Sequence, residues 1–394
     1  MPTGPDDDDE PLPVLAPQDR AHFSTIPVTI LTGFLGAGKT TLLQYILSAD
    51  HGKRIAVIEN EFGDEIGVEK LVAKSGADGR VLDGFYELSN GCVCCSVRDD
   101  LVNTLEKLLE QRDRFDYILV ETTGMADPGK VASIFWVDDE LEGRIVLDGI
   151  VTLVDARRLA FHLDHVDTQQ EVAAQVAYAD RILLNKGDLV QELETRAGIE
   201  RRVKAINGVA HVRWTERSRV DLDDILNIKS FTTTKVEQVE RELQTLLHQG
   251  KDEDERGHQR REDGQHDDRT AHTGGMQTAC VRISDGPLDQ DKLERWLGEL
   301  LWQQDSEREA AGVDAAGRQQ LFRIKGVLAV AGEPHKFILQ AVHELFEVYA
   351  SEERWTDAER NGTVKRMSQV VFIGLHLIRS ELRTGLQACV VRDR

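Results

Sequence analysis

Residues 26–48 read "IPVTILTGFLGAGKTTLLQYILS" and change character twice within that stretch. Up to Thr32 the residues are apolar and often β-branched, the kind of run that fills a strand covered on both faces. From Lys39 onward the apolar side chains recur at helical spacing. Between the two, Gly33, Phe34, Leu35, Gly36, Ala37, Gly38, Lys39 and Thr40 fit the pattern G-x-x-x-x-G-K-[ST], in the strand-to-helix setting it requires. Glycine lets the backbone curl until its N–H groups point inward around phosphate oxygens. The start of the following helix adds a field that favours an anion. Lys39 is placed to reach the β- and γ-phosphates, and the Thr40 hydroxyl to hold Mg²⁺.

Four further runs share the apolar character of the first: "KRIAVIEN" (53–60), "DYILVETTG" (116–124), "GIVTLVDA" (149–156) and "DRILLNKGD" (180–188). Amphipathic stretches such as "LVNTLEKLLEQ" (101–111) lie between them. Strand alternating with helix predicts an α/β fold, a mostly parallel sheet with helices on both faces. Ligands of such a sheet bind at the carboxyl ends of its strands.

Two of those ends carry candidate site residues. Glu121 closes "YILVE" and is read as a catalytic carboxylate that holds Mg²⁺ through water or orients the attacking water. Asn185, Lys186 and Asp188 in "NKGD" suit guanine. Asp188 would accept from its N1 and N2 donors, Asn185 would bond the O6/N7 edge, and the Lys186 stem would lie over the ring. Adenine would leave Asp188 facing an acceptor, a mismatch of about 1–3 kcal/mol. Asp155 in "LVDA" also ends a strand, where a turn or cap role is expected.

"NGCVCCSVRDD" (90–100) gathers three of the chain's five cysteines, Cys92, Cys94 and Cys95. Thiolates bind Zn²⁺, Cu(I) or Ni²⁺. Structural zinc sites use separated C-x-x-C pairs, and neither that spacing nor a second cluster is present. Redox pairs prefer C-x-x-C as well, and a buried apolar trio is the remaining alternative. An incomplete set of three thiolates, whose fourth ligand comes from elsewhere, suits a metal that is held and then passed on.

The remaining sequence divides simply. Residues 1–23 are proline-rich and acidic and are expected to be a disordered tail. The nucleotide domain is expected over 24–228, a helix and a disordered linker with His258, His266 and His272 over 229–276, and a smaller α+β domain over 277–394. With 48 basic and 70 acidic residues the net charge is −22, which disfavours nucleic acid and anionic lipid as partners. The isolated Cys280 and Cys389 and an odd cysteine count argue against a disulfide framework. No run is apolar enough to span a bilayer, so the expected location is the cytoplasm, with the nucleus also compatible.

Taken together, these residues resemble the CobW-like metallochaperone GTPases, and within them a eukaryotic zinc-regulated branch. "NEFG" (60–63), "ASIFWVD" (132–138), "LFRIKGV" (321–327), "VHELFE" (342–347) and "VFIG" (371–374) extend the similarity along the chain. The resemblance implies a P-loop GTPase domain with GTP and Mg²⁺ at Gly33–Thr41, hence Thr41 as well, and Zn²⁺ at Cys92, Cys94 and Cys95. It also implies a switch segment in which Glu61 feels both nucleotide and metal. The expected activity is hydrolysis of GTP to GDP and phosphate, coupled to zinc transfer to a client metalloenzyme. Relatives in that branch dock an acidic tail bearing a C-P-E-L-V-P-like segment on type 1 methionine aminopeptidase. Here Leu12, Pro13, Leu15 and Pro17 in "LPVLAP" occupy the corresponding stretch, with leucine where the cysteine would be. Two rivals stay open: a nonenzymatic zinc sensor or buffer using GTP as a conformational ligand, and a cobalt or nickel chaperone. The linker histidines are read first as a solvated segment.

Overall fold

The computed structural model describes residues 25–49, 52–60, 70–74, 86–87, 97–137, 141, 143–231, 236–237, 239–243, 273, 275–311 and 319–391. Its first sheet has the order β4-β3-β2-β5-β1-β6-β7-β8. The strands are β1 (Ile26–Thr32), β2 (Ile55–Asn60), β3 (Lys70–Lys74), β4 (Tyr86–Glu87), β5 (Tyr117–Thr122), β6 (Ile145–Asp155), β7 (Arg181–Asn185) and β8 (His211–Trp214). The run from β2 to β8 is parallel, whereas β3 and β4 continue it antiparallel. The chain passes from β1 to β2 on one side and later from β5 to β6 on the other. The order therefore reverses at β1, and a crevice opens at the carboxyl ends beside it.

Side chains alternate across this sheet as pleating requires. In β5, Tyr117 and Leu119 face one core while Ile118 and Val120 face the other. The first core packs on Leu42, Leu43 and Ile46 of α1 (Lys39–Ser48) and on residues 225–228. The second receives α2 (Val97–Leu109), α3 (Pro128–Val137), α5 (Val166–Tyr178) and α6 (Leu193–Ile206). The short α4 (Leu159–Asp164) leads into α5. No helix among the described residues is long and apolar enough to cross a membrane.

A second, antiparallel sheet has the order β12-β11-β10-β13-β9. It comprises β9 (Met276–Ile283), β10 (Gln320–Leu328), β11 (His335–Val342), β12 (Leu345–Arg354) and β13 (Ser368–Leu375). The helices Gln290–Ala311 and Arg379–Ala388 cover one face, burying Leu293, Leu297, Leu382 and Leu386 against it. The other face joins the core of the first sheet through Met276, Phe322, Ile338 and Val371. Double coverage explains why β10, β11 and β13 are almost continuously buried.

Residues 236–237 and 239–243 are helical and belong to the core, although their sequence suggests a helix on the surface. Val236, Val239 and Leu243 are buried in the core that joins the two sheets. Glu242 pairs with Lys325 at 2.8 Å, and Glu240 with Lys336 at 2.8 Å. Sequence periodicity marks an apolar stripe but not what covers it.

Polar contacts fix the two sheets against each other. Arg323 on β10 is buried and ion-paired to Asp180, the residue before β7, and also donates to the Tyr178 carbonyl. Lys325 reaches the same carboxylate at 3.1 Å. Burial alone would raise the Asp180 carboxyl, but Arg323 and Lys325 outweigh it and hold the group well below the usual carboxylate range. Thr278 Oγ1 donates to the Ile206 carbonyl at 2.9 Å and accepts from Gly208 N–H at 3.1 Å. Removing one partner of a buried pair leaves an uncompensated charge, so Asp180→Asn is expected to destabilise the protein by about 3–5 kcal/mol. A carboxyl that titrates lower in the folded chain stabilises it above its unfolded pKa of about 4 and loses that contribution as pH falls further. Denaturant unfolding at pH 7 and in acid checks both points. Wild type should lose stability below about pH 4 more steeply than the variant, and equal stability at pH 7 would contradict the assignment.

Candidate nucleotide site

The loop after β1 takes its shape from close approaches. Gly33 has φ 141°, and a Cβ there would sit 2.2 Å from the Leu153 carbonyl oxygen on β6. At Gly38, φ 112°, a Cβ would meet Asn185 Nδ2 at 2.4 Å and Ser218 Oγ at 2.8 Å. Ala37 N–H closes a turn on the Phe34 carbonyl at 3.1 Å. Lys39 is buried, and its ammonium donates to the Gly33 carbonyl at 2.7 Å, curled back over the loop. Burial lowers the Lys39 pKa, and Glu121 partly offsets the effect. Leu35, Thr40 and Thr41 are exposed along the rim, and Phe34 is half-buried there.

Thr40 and Glu121 meet where β1 and β5 end side by side, Oγ1 donating to Oε1 at 3.5 Å. A hydroxyl and a carboxylate at this spacing are the hard oxygen donors that Mg²⁺ takes. Beyond Glu121, Gly124 lies so close that a Cβ would reach the Leu35 backbone nitrogen at 2.7 Å. Gln175, buried on α5, donates to the Gly124 carbonyl at 3.0 Å.

The side chain of Asn185 is fully committed within the protein. Its amide donates to the Ala37 carbonyl at 2.9 Å and to Ser218 Oγ at 2.8 Å. Its oxygen accepts from Ser218 N–H at 2.9 Å and Thr215 Oγ1 at 3.1 Å. Two donors and two lone pairs are the whole capacity of the group. This differs from the expected contact with the O6/N7 edge of guanine, because the amide ties the phosphate loop to the segment after β8. Ser218 adds a bond to the Gly38 carbonyl at 3.0 Å.

Lys186 holds a left-handed φ of 62° and pairs with Asp155 at 2.6 Å. Asp155 also takes the turn role expected of it, accepting from Arg157 N–H at 3.1 Å and Arg158 N–H at 3.2 Å. Asp188 is exposed on the short turn Gly187–Leu189. Thr215 and Ser218 escape the sequence reading, since a polar turn after an edge strand carries no motif, and Gln175 escapes it as one polar residue within a helix. The signal available was position at a strand end.

Leu12, Pro13, Leu15, Pro17, Glu61, Cys92, Cys94, Cys95 and the linker histidines lie outside the described residues. Among the described residues no cluster of His, Cys, Asp and Glu could hold a metal. The residues flanking the cysteine segment are described. In the backbone register of the sheet, Lys70 stands opposite Glu87, Leu71 opposite both Tyr86 and Ile58, and Glu59 opposite Glu121. Glu87 thus ends β4 at the same edge of the sheet as Glu121, and helix α2 resumes at Val97.

A nucleotide-binding domain model described as CobW/HypB/UreG matches residues 27–213, and the cobalamin synthesis protein cobW C-terminal domain matches 278–390. The zinc chaperone YjiA of Escherichia coli is 34% identical over 92% of this chain and 98% of its own length. The chain belongs to the CobW/HypB/UreG family. A crystal structure of Zn(II)-bound YjiA GTPase from E. coli superposes with TM-score 0.62 at 30% identity, covering 94% of this chain and 100% of that one. The zinc-regulated GTPase metalloprotein activator 1 of Schizosaccharomyces pombe is 39% identical over 57% of this chain, an alignment spanning 54% of the activator. Both sheets described above thus lie within family domains.

The packing around Gly38 sets a direct check. Gly38→Ala drives a methyl into Asn185 and Ser218 at a positive φ. We expect binding of a fluorescent GTP analogue to weaken at least about ten-fold, a loss of roughly 1.4 kcal/mol, with the far-ultraviolet circular dichroism of the sheet retained. Unchanged affinity would contradict this geometry of the loop.

Proposed function

We propose that this chain is a GTP-hydrolysing zinc metallochaperone. Lys39, Thr40 and the backbone of Gly33–Thr41 bind the phosphates, Asp188 reads guanine, and the Lys186 stem lies over the base. When nucleotide enters, a phosphate oxygen replaces the Gly33 carbonyl as acceptor for the Lys39 ammonium. Thr40 and Glu121 would hold Mg²⁺, which supplies charge neutralisation of the β- and γ-phosphates. Glu121 would orient the attacking water. Gly124, in the loop after Glu121, approaches Leu35 of the phosphate loop, and Gln175 steadies that loop through the Gly124 carbonyl.

Zinc is the cargo in this reading, and Cys92, Cys94 and Cys95 carry it, with Glu61 as a further ligand. The supporting observation is the register at the edge of the sheet. β4 leads into the segment 88–96 from Glu87, at the end of the sheet that also bears Thr40 and Glu121. Three strand spacings, about 14 Å, separate β4 from β5. A loop ordered by the γ-phosphate and released on hydrolysis would thus act within reach of the thiolates. The client proposed is type 1 methionine aminopeptidase, engaged by the tail through Leu12, Pro13, Leu15 and Pro17, in the cytoplasm.

Zinc should accelerate GTP turnover several-fold, and Cys→Ser at positions 92, 94 and 95 should remove the acceleration while GTP still binds. Phosphate release measured with and without zinc decides this. Identical turnover in wild type and mutant under both conditions would contradict the proposal. Intact GTP in single-turnover assays with client present would instead favour a sensor. Deleting residues 12–17 should abolish co-purification with the aminopeptidase without altering turnover.

A further inference from the structure

We infer that Arg196 is a positioning residue that sets guanine specificity by clamping the turn that carries Asp188. It stands in the first turn of α6, where a cation is unfavourable for the helix itself. Both of its side-chain hydrogen bonds go to the turn instead. Nε donates to the Val190 carbonyl at 2.7 Å and Nη2 to the Gly187 carbonyl at 2.8 Å. The guanidinium lies over the Trp214 ring, 4.6 Å from its centroid. Trp214 is itself fixed by its indole N–H, which donates to Glu200 Oε1 at 2.6 Å. From the other side, Gly187 N–H donates to the Thr215 carbonyl at 3.0 Å. A Cβ at Gly187 would sit 3.3 Å from Thr215 O and from Trp214, so little slack remains in the turn.

Asp188 lies between the two clamped carbonyls, exposed, with its backbone bracketed on both sides. A carboxylate that must receive two donors of one base edge needs its backbone held, because a small displacement loses both bonds together. Planar, forked donation combined with ring stacking is available to arginine and not to lysine. Arg196 touches no nucleotide in this account, and its effect passes through residues 187–190.

The inference rests on the reading of Asp188 as the guanine contact, so the experiment separates the two. Equilibrium binding of GTP, ITP and XTP is measured for wild type, Arg196→Ala, Arg196→Lys, Trp214→Leu and Asp188→Asn. ITP lacks the exocyclic amine that Asp188 accepts from, and XTP carries an oxygen in its place. Arg196→Ala should weaken GTP at least about ten-fold, because both charge-assisted bonds to Asp188 are disturbed together. It should weaken ITP by less, because ITP has only the N1 donor to lose, so the GTP/ITP ratio narrows. Turnover at saturating GTP should persist, and lysine should not restore the ratio. An unchanged ratio, or an equal loss for both nucleotides, overturns the inference. Should Arg196→Ala not fold, Trp214→Leu carries the same readout, a narrowed ratio supporting the clamp and an unchanged one overturning it. Asp188→Asn should shift preference toward XTP. If it keeps the preference for GTP, the guanine reading itself falls, and the clamp with it.

Discussion

The Asn185 amide joins the phosphate loop to the segment after β8 through four hydrogen bonds. Each end of the nucleotide site depends on that junction. Gly38 is shaped around it, and Ser218 bonds the Gly38 carbonyl. The strand that delivers Asn185 also carries Lys186 directly into its turn. A buried amide with every valence used is costly to disturb, because any partner lost leaves an unsatisfied polar group. The junction therefore fixes the spacing between the phosphate loop and the Lys186–Asp188 turn as a property of the fold.

The same strand ties the site to the C-terminal sheet. Asp180 precedes β7, and Asn185 ends it. One end of β7 is thus bonded to Arg323 and Lys325, and the other to the phosphate loop. Helix α5 repeats the arrangement, with Gln175 on the loop after Glu121 and the Tyr178 carbonyl on Arg323. Tyr178 packs against Phe322, and a Cβ at Gly129 on α3 would strike its ring at 2.3 Å. The C-terminal sheet is therefore packed onto β7 and α5, the same elements that hold the phosphate loop and the loop after Glu121.

Much of this was legible in the sequence, for a physical reason. The strand, glycine loop and helix around Gly33–Thr40 are local in sequence, and so is the apolar run before each strand end, so pattern alone reveals them. The placement of Glu121 and Asn185 at strand ends follows because a parallel sheet gathers those ends, whereas the bonds that commit the Asn185 amide to the phosphate loop do not. The remaining contacts join residues far apart in sequence and leave no local mark. Arg323 and Asp180 are 143 positions apart, and Asn185 and Ala37 are 148 apart. Arg196 looks like any polar residue of a surface helix until Trp214 is placed beneath it. The helical residues 236–237 and 239–243 show an apolar stripe in sequence, yet only the second sheet explains why the stripe is buried.

The proposed function requires zinc at the cysteine segment and nucleotide in the phosphate pocket to be energetically coupled. Titration of zinc into protein loaded with GDP, and into protein loaded with a non-hydrolysable GTP analogue, tests it most directly. Coupling between sites is commonly about 1–3 kcal/mol, so zinc affinity should differ at least about five-fold between the two forms. Serine at positions 92, 94 and 95 should erase the difference. Equal zinc affinity in both nucleotide states would contradict the account.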